Sequence, residues 1–487
     1  MSMYVLAIDQ STTATKALLF DEHAELIGRC NKAHKQIHPE PGWIEHDPEE
    51  IYTNTVLAIK GVLAQTNTDK KKVAVLSITN QRETTLIWDA NGKPVYNAVV
   101  WQCARAESIT KEPKIYDHAK YIEETSGLKL SPYFSAAKAK WICDHARTGP
   151  QLYFGTMDSW LIYKLTGNHA TDYSNASRTQ LFNIRSLEWD WNLINIFDLS
   201  YVQFPKVQDA DSIFGYTTIE GFFDKPIPVA GVLGDSHAAL FGQQCWSEGK
   251  TKATFGTGSS VMMNIGEKPL ASKNGLATSI AWRLDGKAEY VFEGNINCSG
   301  DTLKWMVDEL GILPNVNESQ EYAKKVSSSE GVYVVPAFVG LGAPYWKSDA
   351  RAIICGLFRS ANKYHIIRAG IESMAYQLKD IVLPMLEDAG LSLSELRVDG
   401  GPTNNELLMQ FVSDILNTKV IKNKIEEVSA LGVAYIGGLT VGLWANRHQI
   451  EPMRGGGREY VCAMPIEAAD KLYAGWRAAA KMLLQNQ

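Results

Sequence analysis

The chain of 487 residues contains no apolar run of 18 residues, which is about the length a membrane-spanning helix needs. It contains no basic segment interleaved with aromatic residues. Its net charge of −6 argues against nucleic acid or an anionic membrane surface as the main partner. The first residues lack the basic and apolar pattern of a secretory leader. These absences predict a cytoplasmic protein that acts on neither membranes nor nucleic acids.

Cysteines are few and irregularly spaced. There are seven, an odd number, and none forms a CxxC pair. A disulfide framework needs paired cysteines in an oxidising compartment, and a zinc site needs ligands at short spacings. His34, His38 and His46 also lack metal-ligand spacing on one face, so we expect them at the surface. The pattern predicts reduced thiols and no zinc site.

Two stretches share one pattern: a strand, a short loop rich in hydroxyl groups or glycine, and a second strand. They run from Tyr4 to Asp21 and from Lys252 to Asn264. The amides and hydroxyls of such a loop can wrap an anion. For the first loop, a solvated turn is the simpler alternative. Strand and helix patterns alternate elsewhere, as in residues 48–64 (helix) and 73–79 (strand), which favours an α/β layer architecture.

The length of the chain predicts more than one domain, because single cores stop growing at about 250–300 residues. A loop of the same type near the start of each half matches a duplicated ATPase plan with a cleft between the halves. We place the two domains at residues 1–243 and 244–487, with a soft boundary near residues 240–250.

Several longer motifs resemble the glycerol kinases of the FGGY carbohydrate kinase family, and together they span essentially the whole chain. They lie at residues 78–85, 96–103, 131–135, 171–178, 234–242, 336–346 and 397–401. The resemblance implies the actin/hexokinase/Hsp70-type (ribonuclease H-like) fold. It also implies ATP-dependent phosphorylation of a small polyol, with Mg2+, by a homo-oligomer (a dimer or tetramer). The expected reaction converts glycerol to sn-glycerol 3-phosphate.

The acceptor side of the predicted site centres on Asp235. This residue follows an apolar strand pattern, and the resemblance makes it the base that accepts the proton of the substrate hydroxyl. A helix-capping role is compatible with that chemistry. Arg82 and Glu83 suit a polyol, since one donates and the other accepts hydrogen bonds; an ordinary ion pair is the alternative. The resemblance adds Trp101 as an apolar wall and Tyr133 as a hydroxyl partner.

The nucleotide side is assigned by resemblance to two phosphate loops and an adenosine pocket. Glycine lets backbone N–H groups approach phosphates closely. An Asp-Gly-Gly sequence alone is equally typical of a tight turn. Asp9 is expected to hold Mg2+, through water. The assigned residues are Thr12, Thr13 and Lys16 in the first loop, Gly256, Thr257 and Gly258 in the second, and Gly300, Lys304, Gly400, Gly401 and Asn405 in the pocket.

The sequence also departs from the glycerol kinase pattern. Ser236 and His237 replace the usual Gln-Gln, and Ser260 replaces a phenylalanine that packs on the glycerol carbons. We place Ser236 and Ser260 at the substrate, and expect His237 to pack inside the fold. The smaller side chains leave open a larger polyol or a ketose, such as erythritol, xylitol or similar, as the substrate. A chaperone-like ATPase module on the same fold is a further alternative.

Overall fold

The structure is a computed structural model that describes residues 3–146, 149, 151–347, 349–454 and 456–485. Its strands, in chain order, are β1 (Tyr4–Gln10), β2 (Ala14–Phe20), β3 (Leu26–Ala33), β4 (Glu45–His46), β5 (Val73–Asn80), β6 (Thr85–Asp89), β7 (Ala98–Val99), β8 (Leu152–Thr156), β9 (Ala170–Asp172), β10 (Phe182–Asn183), β11 (Glu188–Trp189), β12 (Val202–Gln203), β13 (Lys206–Gln208), β14 (Ile213–Thr217), β15 (Ile227–Gly234), β16 (Thr251–Phe255), β17 (Ser259–Gly266), β18 (Ala277–Leu284), β19 (Lys287–Ile296), β20 (Tyr333–Val335), β21 (Ile353–Cys355), β22 (Glu395–Asp399), β23 (Lys419–Lys422) and β24 (Arg458–Tyr460).

The helices, in chain order, are α1 (Pro48–Gln65), α2 (Glu107–Thr110), α3 (Pro113–Tyr116), α4 (Ala119–Ser126), α5 (Ser135–Ala146), α6 (Met157–Thr166), α7 (Tyr173–Ala176), α8 (Trp191–Ile196), α9 (Asp235–Gly242), α10 (Asp301–Asp308), α11 (Ser319–Ala323), α12 (Lys363–Ala389), α13 (Glu406–Leu416), α14 (Val428–Thr440), α15 (Arg447–Ile450) and α16 (Ile466–Gln485). Short 3-10 turns span Lys70–Lys72, Val316–Glu318, Gly401–Asn404 and Glu451–Arg454. The predicted helix at residues 48–64 is confirmed as α1, and Asp47 caps it by accepting the backbone N–H of Glu49 at 2.9 Å.

The two largest sheets are built on one plan. In the first, the strand order is β14-β15-β5-β1-β2-β3, and in the second it is β18-β19-β17-β16-β22-β23-β24. Each contains the predicted antiparallel hairpin, β1–β2 in the first and β16–β17 in the second. The first strand of each hairpin then pairs in parallel with a later strand, β5 or β22. The shared plan places both hairpin loops at the ends of parallel strands.

Smaller elements complete the fold around these sheets. A five-stranded sheet has the order β12-β8-β6-β7-β4. All seven cysteines are reduced, and five of them are buried. Among the described residues, no helix is both long and apolar enough to cross a membrane.

A pair of closely packed helices joins the two halves. α14 comes from the second half of the chain, yet it packs on β1, β5 and β15 of the first sheet and on α9. The apolar side chains of this region form one buried cluster that includes Val75, Leu240 and Leu431. Glycines allow the approach: the backbone N of Gly432 is 3.0 Å from a Cβ built on Gly242. Since Asp235 is the first residue of α9, this packing fixes its position.

We expect Gly432→Ala to destabilise the protein by about 1–3 kcal/mol, because overpacked sites cost that much. A Cβ at Gly432 would overlap the carbonyl oxygen of Ala238 in α9. In a solvent-exposed helix the same change would stabilise the protein by about 1 kcal/mol. The sign of the change in stability therefore tests the packing. Thermal unfolding measures it, with Ser429→Ala in the same helix as the control. A Gly432→Ala protein as stable as the parent would contradict the close approach.

Candidate active site

Asp235 lies where β15 ends and α9 begins. The residue before it, Gly234, is the helix N-cap, and Asp235 occupies the first helical position. The side chain of Asp235 is 40% exposed, and its Oδ1 accepts the Nε–H of Arg82 at 3.1 Å. A Cβ at Gly234 would lie 2.6 Å from the Cγ of Arg82, so only glycine lets the arginine stem pass. The carboxylate is therefore accessible and held by one arginine contact.

The guanidinium of Arg82 also binds a carboxylate that the sequence analysis did not identify. Its Nη1 and Nη2 donate to Oε2 and Oε1 of Glu293, on β19, at 2.9 and 2.7 Å. Arg178 Nη1 lies 2.8 Å from Glu293 Oε2. Burial opposes ionisation of Glu293, but the charges of Arg178 and Arg82 outweigh it and hold the pKa of this carboxyl well below its ordinary value.

Glu83 completes this buried charge network, which comprises Arg82, Glu83, Arg178 and Glu293. Its Oε1 accepts the Nε–H of Arg178 at 2.6 Å, and the side chains of both residues are almost fully buried. The predicted alternative, an ordinary ion pair between Arg82 and Glu83, is not what the side chains form. Glu83 has φ 60°, a left-handed conformation that costs a non-glycine residue energy and is concentrated at functional sites.

Trp101 and Tyr133 lie next to each other, with ring centroids 5.6 Å apart. The indole Nε1–H of Trp101 donates to Thr12 Oγ1 at 3.0 Å, which joins this aromatic pair to the first hairpin loop. Burial, and next the charge of Glu83, raises the pKa of Tyr133. Lys138, which the sequence analysis did not single out, donates to the carbonyls of the segment that carries Tyr133. Burial lowers the pKa of Lys138 to about 7.

A second charge cluster surrounds Asp9. Lys16 is its cross-strand partner in the hairpin, with Nζ 3.5 Å from Asp9 Oδ2. The same Nζ donates to Glu427 Oε2 at 2.8 Å, and Arg29 Nη1 donates to Glu427 Oε1 at 2.9 Å. Burial raises the pKa of Asp9 to about 6, Lys16 opposes the rise, and Glu427 and Asp235 add to it. Asp9 and Asp235 therefore share one electrostatic environment.

Six of the eleven predicted nucleotide residues border one cavity of about 610 Å³, and Thr12, Thr13 and Lys16 are not among them. That volume is within the range of about 300–1,000 Å³ typical of small-molecule pockets. Apolar side chains such as Leu303 and Met374 also line it. The predicted residues along its wall are Gly256, Thr257, Gly300, Lys304, Gly401 and Asn405.

Gly258 and Gly400 do not line the cavity but shape the backbone beside it. Gly400 has φ 97°, and a Cβ there would overlap the carbonyl oxygen of Phe255. The second loop also rests on the chain entering α10, since the backbone N–H groups of Ser299 and Asp301 donate to Thr257 O at 2.8 and 3.1 Å. By contrast, no atom lies within 4 Å of a Cβ built on Gly401, so a side chain at this position would meet open space.

Comparison with known proteins identifies the family. The N-terminal domain of the FGGY family of carbohydrate kinases matches residues 4–242, and the C-terminal domain of that family matches residues 251–441. The chain belongs to the FGGY carbohydrate kinases. It is therefore a kinase, as the motifs predict.

Relatives of this FGGY kinase with 45–46% identity are named glycerol kinases. The chain is 45% identical over 485 residues to one from Stenotrophomonas maltophilia, covering 98% of this chain and 97% of the relative. It is 46% identical over 494 residues to one from Caldanaerobacter subterraneus, covering 100% and 99%.

Solved structures confirm the predicted fold class. Plasmodium falciparum glycerol kinase with ADP superimposes with a TM-score of 0.92 at 35% identity, covering 99% of both chains. Xylulose kinase from Lactobacillus acidophilus gives 0.90 at 20% identity, covering 99% of both chains, which is a likeness of fold alone.

The two serines that depart from the glycerol kinase pattern lie beside Asp235 and the buried charge network. Ser260 Oγ donates to Glu293 Oε1 at 3.2 Å. Ser236 is half-buried, and its backbone N–H donates to Asp235 Oδ1 at 2.6 Å. His237 is fully buried and bonded to Ser279 Oγ at 3.1 Å, so it packs inside the fold as expected.

The expectation that all three N-terminal histidines lie at the surface is wrong. His34 and His46 are buried, and only His38 is exposed. His34 Nε2 lies 2.8 Å from the carbonyl oxygen of Thr12, so this ring supports the first hairpin loop. Burial lowers the pKa of both buried rings. A single histidine inside a polar stretch carries no pattern that would reveal this packing.

We expect Asp9→Asn to stabilise the protein at pH 8. The pKa of Asp9 is raised from 3.8 to about 6, so above pH 6 folding must bury an ionised carboxylate that the amide avoids. Each pKa unit is worth about 1.4 kcal/mol, which gives about 2–3 kcal/mol at pH 8 and progressively less as the pH falls towards 4.

Thermal unfolding of both proteins between pH 4 and pH 8 measures this difference. Asp117→Asn, a change of the same charge at an exposed position, serves as the control and should leave the profile unchanged. A difference between Asp9→Asn and the parent that does not grow with pH would show that burial of this charge is not costly.

Proposed function

We propose that this FGGY kinase transfers the terminal phosphoryl group of ATP to a hydroxyl of glycerol, giving sn-glycerol 3-phosphate. One observation carries the proposal: the accessible carboxylate of Asp235 lies against Arg82, which belongs to the same buried network as Glu83. Full-length relatives with about 45% identity are named glycerol kinases. The proposed domains are residues 1–243, with the polyol site and the base, and 244–487, with the second phosphate loop and the adenosine pocket.

The acceptor side binds and activates the alcohol. Arg82 and Tyr133 donate to substrate oxygens, Glu83 accepts from hydroxyl protons, and Trp101 covers the carbon chain. Asp235 accepts the proton of the hydroxyl that attacks phosphorus, which is the role a positioned carboxylate has in phosphoryl transfer. Because several polar groups converge, a substrate that lacks a hydroxyl strands a buried partner and is rejected.

The donor side holds the nucleotide between the two hairpin loops. The cavity beside Gly256, Gly300 and Gly401 takes the adenosine, and the loop at Thr12, Thr13 and Lys16 faces the phosphates from the other side. Lys304 and Asn405 border the same cavity. Closure of the two halves excludes water and limits hydrolysis of ATP.

Asp9 fits a hydrated Mg2+. Burial and two neighbouring carboxylates, Glu427 and Asp235, raise its pKa, and a cation relieves that excess of negative charge. Mg2+ prefers one or two carboxylates together with phosphate oxygens. When bound, the ion neutralises charge on the transferred phosphoryl group. We further propose that the enzyme works in the cytoplasm as a dimer or tetramer.

We expect Asp235→Asn to lower kcat by about 10²–10⁴-fold, the usual range for loss of a general base. The amide keeps an oxygen that can accept from Arg82 but cannot take a proton. Steady-state kinetics measures kcat, and ADP binding by calorimetry should be unchanged. Asp211→Asn, a half-buried carboxylate in a separate cavity, is the control. If Asp235→Asn retains near-normal turnover, the assignment of the base is wrong.

A larger polyol or a ketose is the second candidate, because serines replace bulkier residues at positions 236 and 260. Since the Ser260 hydroxyl already donates to Glu293, we expect it to add no binding site for an extra substrate hydroxyl. In a coupled assay of ADP release, kcat/KM should be highest for glycerol among glycerol, erythritol, xylitol and xylulose. A four- or five-carbon substrate that exceeds glycerol would establish the alternative.

A further inference from the structure

Glu293 is the one carboxylate of the buried charge network that belongs to the second sheet. It lies on β19, whereas Arg82 and Arg178 belong to the first half of the chain. The Glu293 side chain is fully buried. A carboxylate buried this deeply is stable only when every oxygen has partners. Here both oxygens are shared by two arginines and the Ser260 hydroxyl.

The geometry of Arg82 depends on that carboxylate. A guanidinium binds a carboxylate through two parallel N–H groups in a planar fork, which fixes its orientation. Glu293 takes one N–H from each terminal nitrogen of Arg82, and in this orientation the Nε–H donates to Asp235. Without Glu293, the terminal nitrogens would be free to turn and pair with Asp235. A base that is fully paired with an arginine is a weaker proton acceptor.

The charges of the network also support a positioning role for Glu293. Arg82 and Arg178 are balanced by Glu83 and Glu293, so the network is neutral when these four groups are ionised. Asp235 is then the surplus carboxylate, and it is also the accessible one at 40% side-chain exposure. Loss of the charge on Glu293 would leave Glu83 as the counter-ion of Arg178 and would make Asp235 the counter-ion of Arg82.

Glu293 also connects the acceptor side to the second phosphate loop. β19 pairs with β17, where Glu293 is opposite Met262 and Ile296 is opposite Ser259. Ser259 directly follows the loop of Gly256 to Gly258. Along this strand pair, Glu293, which contacts Arg82, is therefore only three residues from the position opposite the end of the loop. Movement of this strand pair relative to the first sheet would move the partner of Arg82.

We propose that Glu293 is a positioning residue for phosphoryl transfer: it orients Arg82 towards the acceptor and ties that arginine to the strand pair of the second phosphate loop. This inference rests on the proposed function. Glu293 acts on the alcohol through Arg82, so its loss should affect the alcohol more than the nucleotide.

The test is Glu293→Gln, which keeps the shape and removes the charge. Misplacement of a substrate-positioning group by about 1 Å can cost about 10²-fold in rate, so we expect kcat/KM for glycerol to fall by that order. The KM for ATP and the thermal stabilisation by ADP should stay at parental values, while stabilisation by glycerol should be lost. Glu293→Asp keeps the charge and should recover part of the activity.

The matched control is Glu372→Gln. Glu372 is also buried, with Arg368 Nε at 2.6 Å and Ser329 Oγ at 2.8 Å, so it has the same types of partner on α12. We expect this variant to lose thermal stability and keep its kinetic constants. The parental protein in the same assay tests the proposed function separately, since no turnover of any polyol would refute that function first.

Two results would overturn the proposal when the parental enzyme is active. In one, Glu293→Gln keeps parental kcat/KM for glycerol. In the other, it loses ADP binding in proportion to glycerol turnover, as a general structural defect would produce. If Glu293→Gln does not fold, Glu293→Asp is judged by the same two criteria. If neither variant folds, Glu293 is required for folding and the proposed positioning role is wrong.

Discussion

The constraint on which the site around Asp235 depends is the burial of four charges in one network. Two arginines and two glutamates lie in contact at Arg82, Arg178, Glu83 and Glu293, each at most 5% exposed. Removing such charges from water costs free energy. Their mutual attraction offsets this cost only when the geometry is good and the hydrogen bonds are complete. The left-handed backbone of Glu83 adds to that cost. Such a network is weak evidence for stability, so a functional reason for it is the better explanation.

That network sits where the two halves of the fold meet, and the repeated sheet plan explains why. Each half places a hairpin loop at the end of its parallel strands, and the α9–α14 pair holds the halves together close to Asp235. Parallel strands end at the same edge of a sheet, and ligands in open α/β sheets bind at the carboxyl ends of the strands. Both hairpin loops therefore lie at the sheet edges where ligands bind in such folds.

Local sequence patterns predicted much of this arrangement, because they depend on neighbours along the chain. The patterns at residues 73–79 and 48–64 predicted β5 and α1, and glycines marked the second loop. The contacts of Glu293 and Glu427 could not be predicted in that way. Each joins residues more than 200 positions apart, Glu293 with Arg82 and Glu427 with Lys16. The glutamate that directly follows the apolar residues Tyr290, Val291 and Phe292 in β19 was the available signal, since charges are rarely buried without a partner.

The cluster around Asp9 leads to one more conclusion about how a phosphate donor enters. Lys16 is already paired with two carboxylates, and Asp235 adds a third negative charge to the same field. A polyphosphate without a metal ion would therefore meet a cleft edge at which Lys16 is already paired with carboxylates. Under the proposed function, Asp9 would hold a hydrated divalent cation, which would neutralise negative charge on the phosphates. The charges at this edge therefore support the proposal that the nucleotide binds together with a divalent cation.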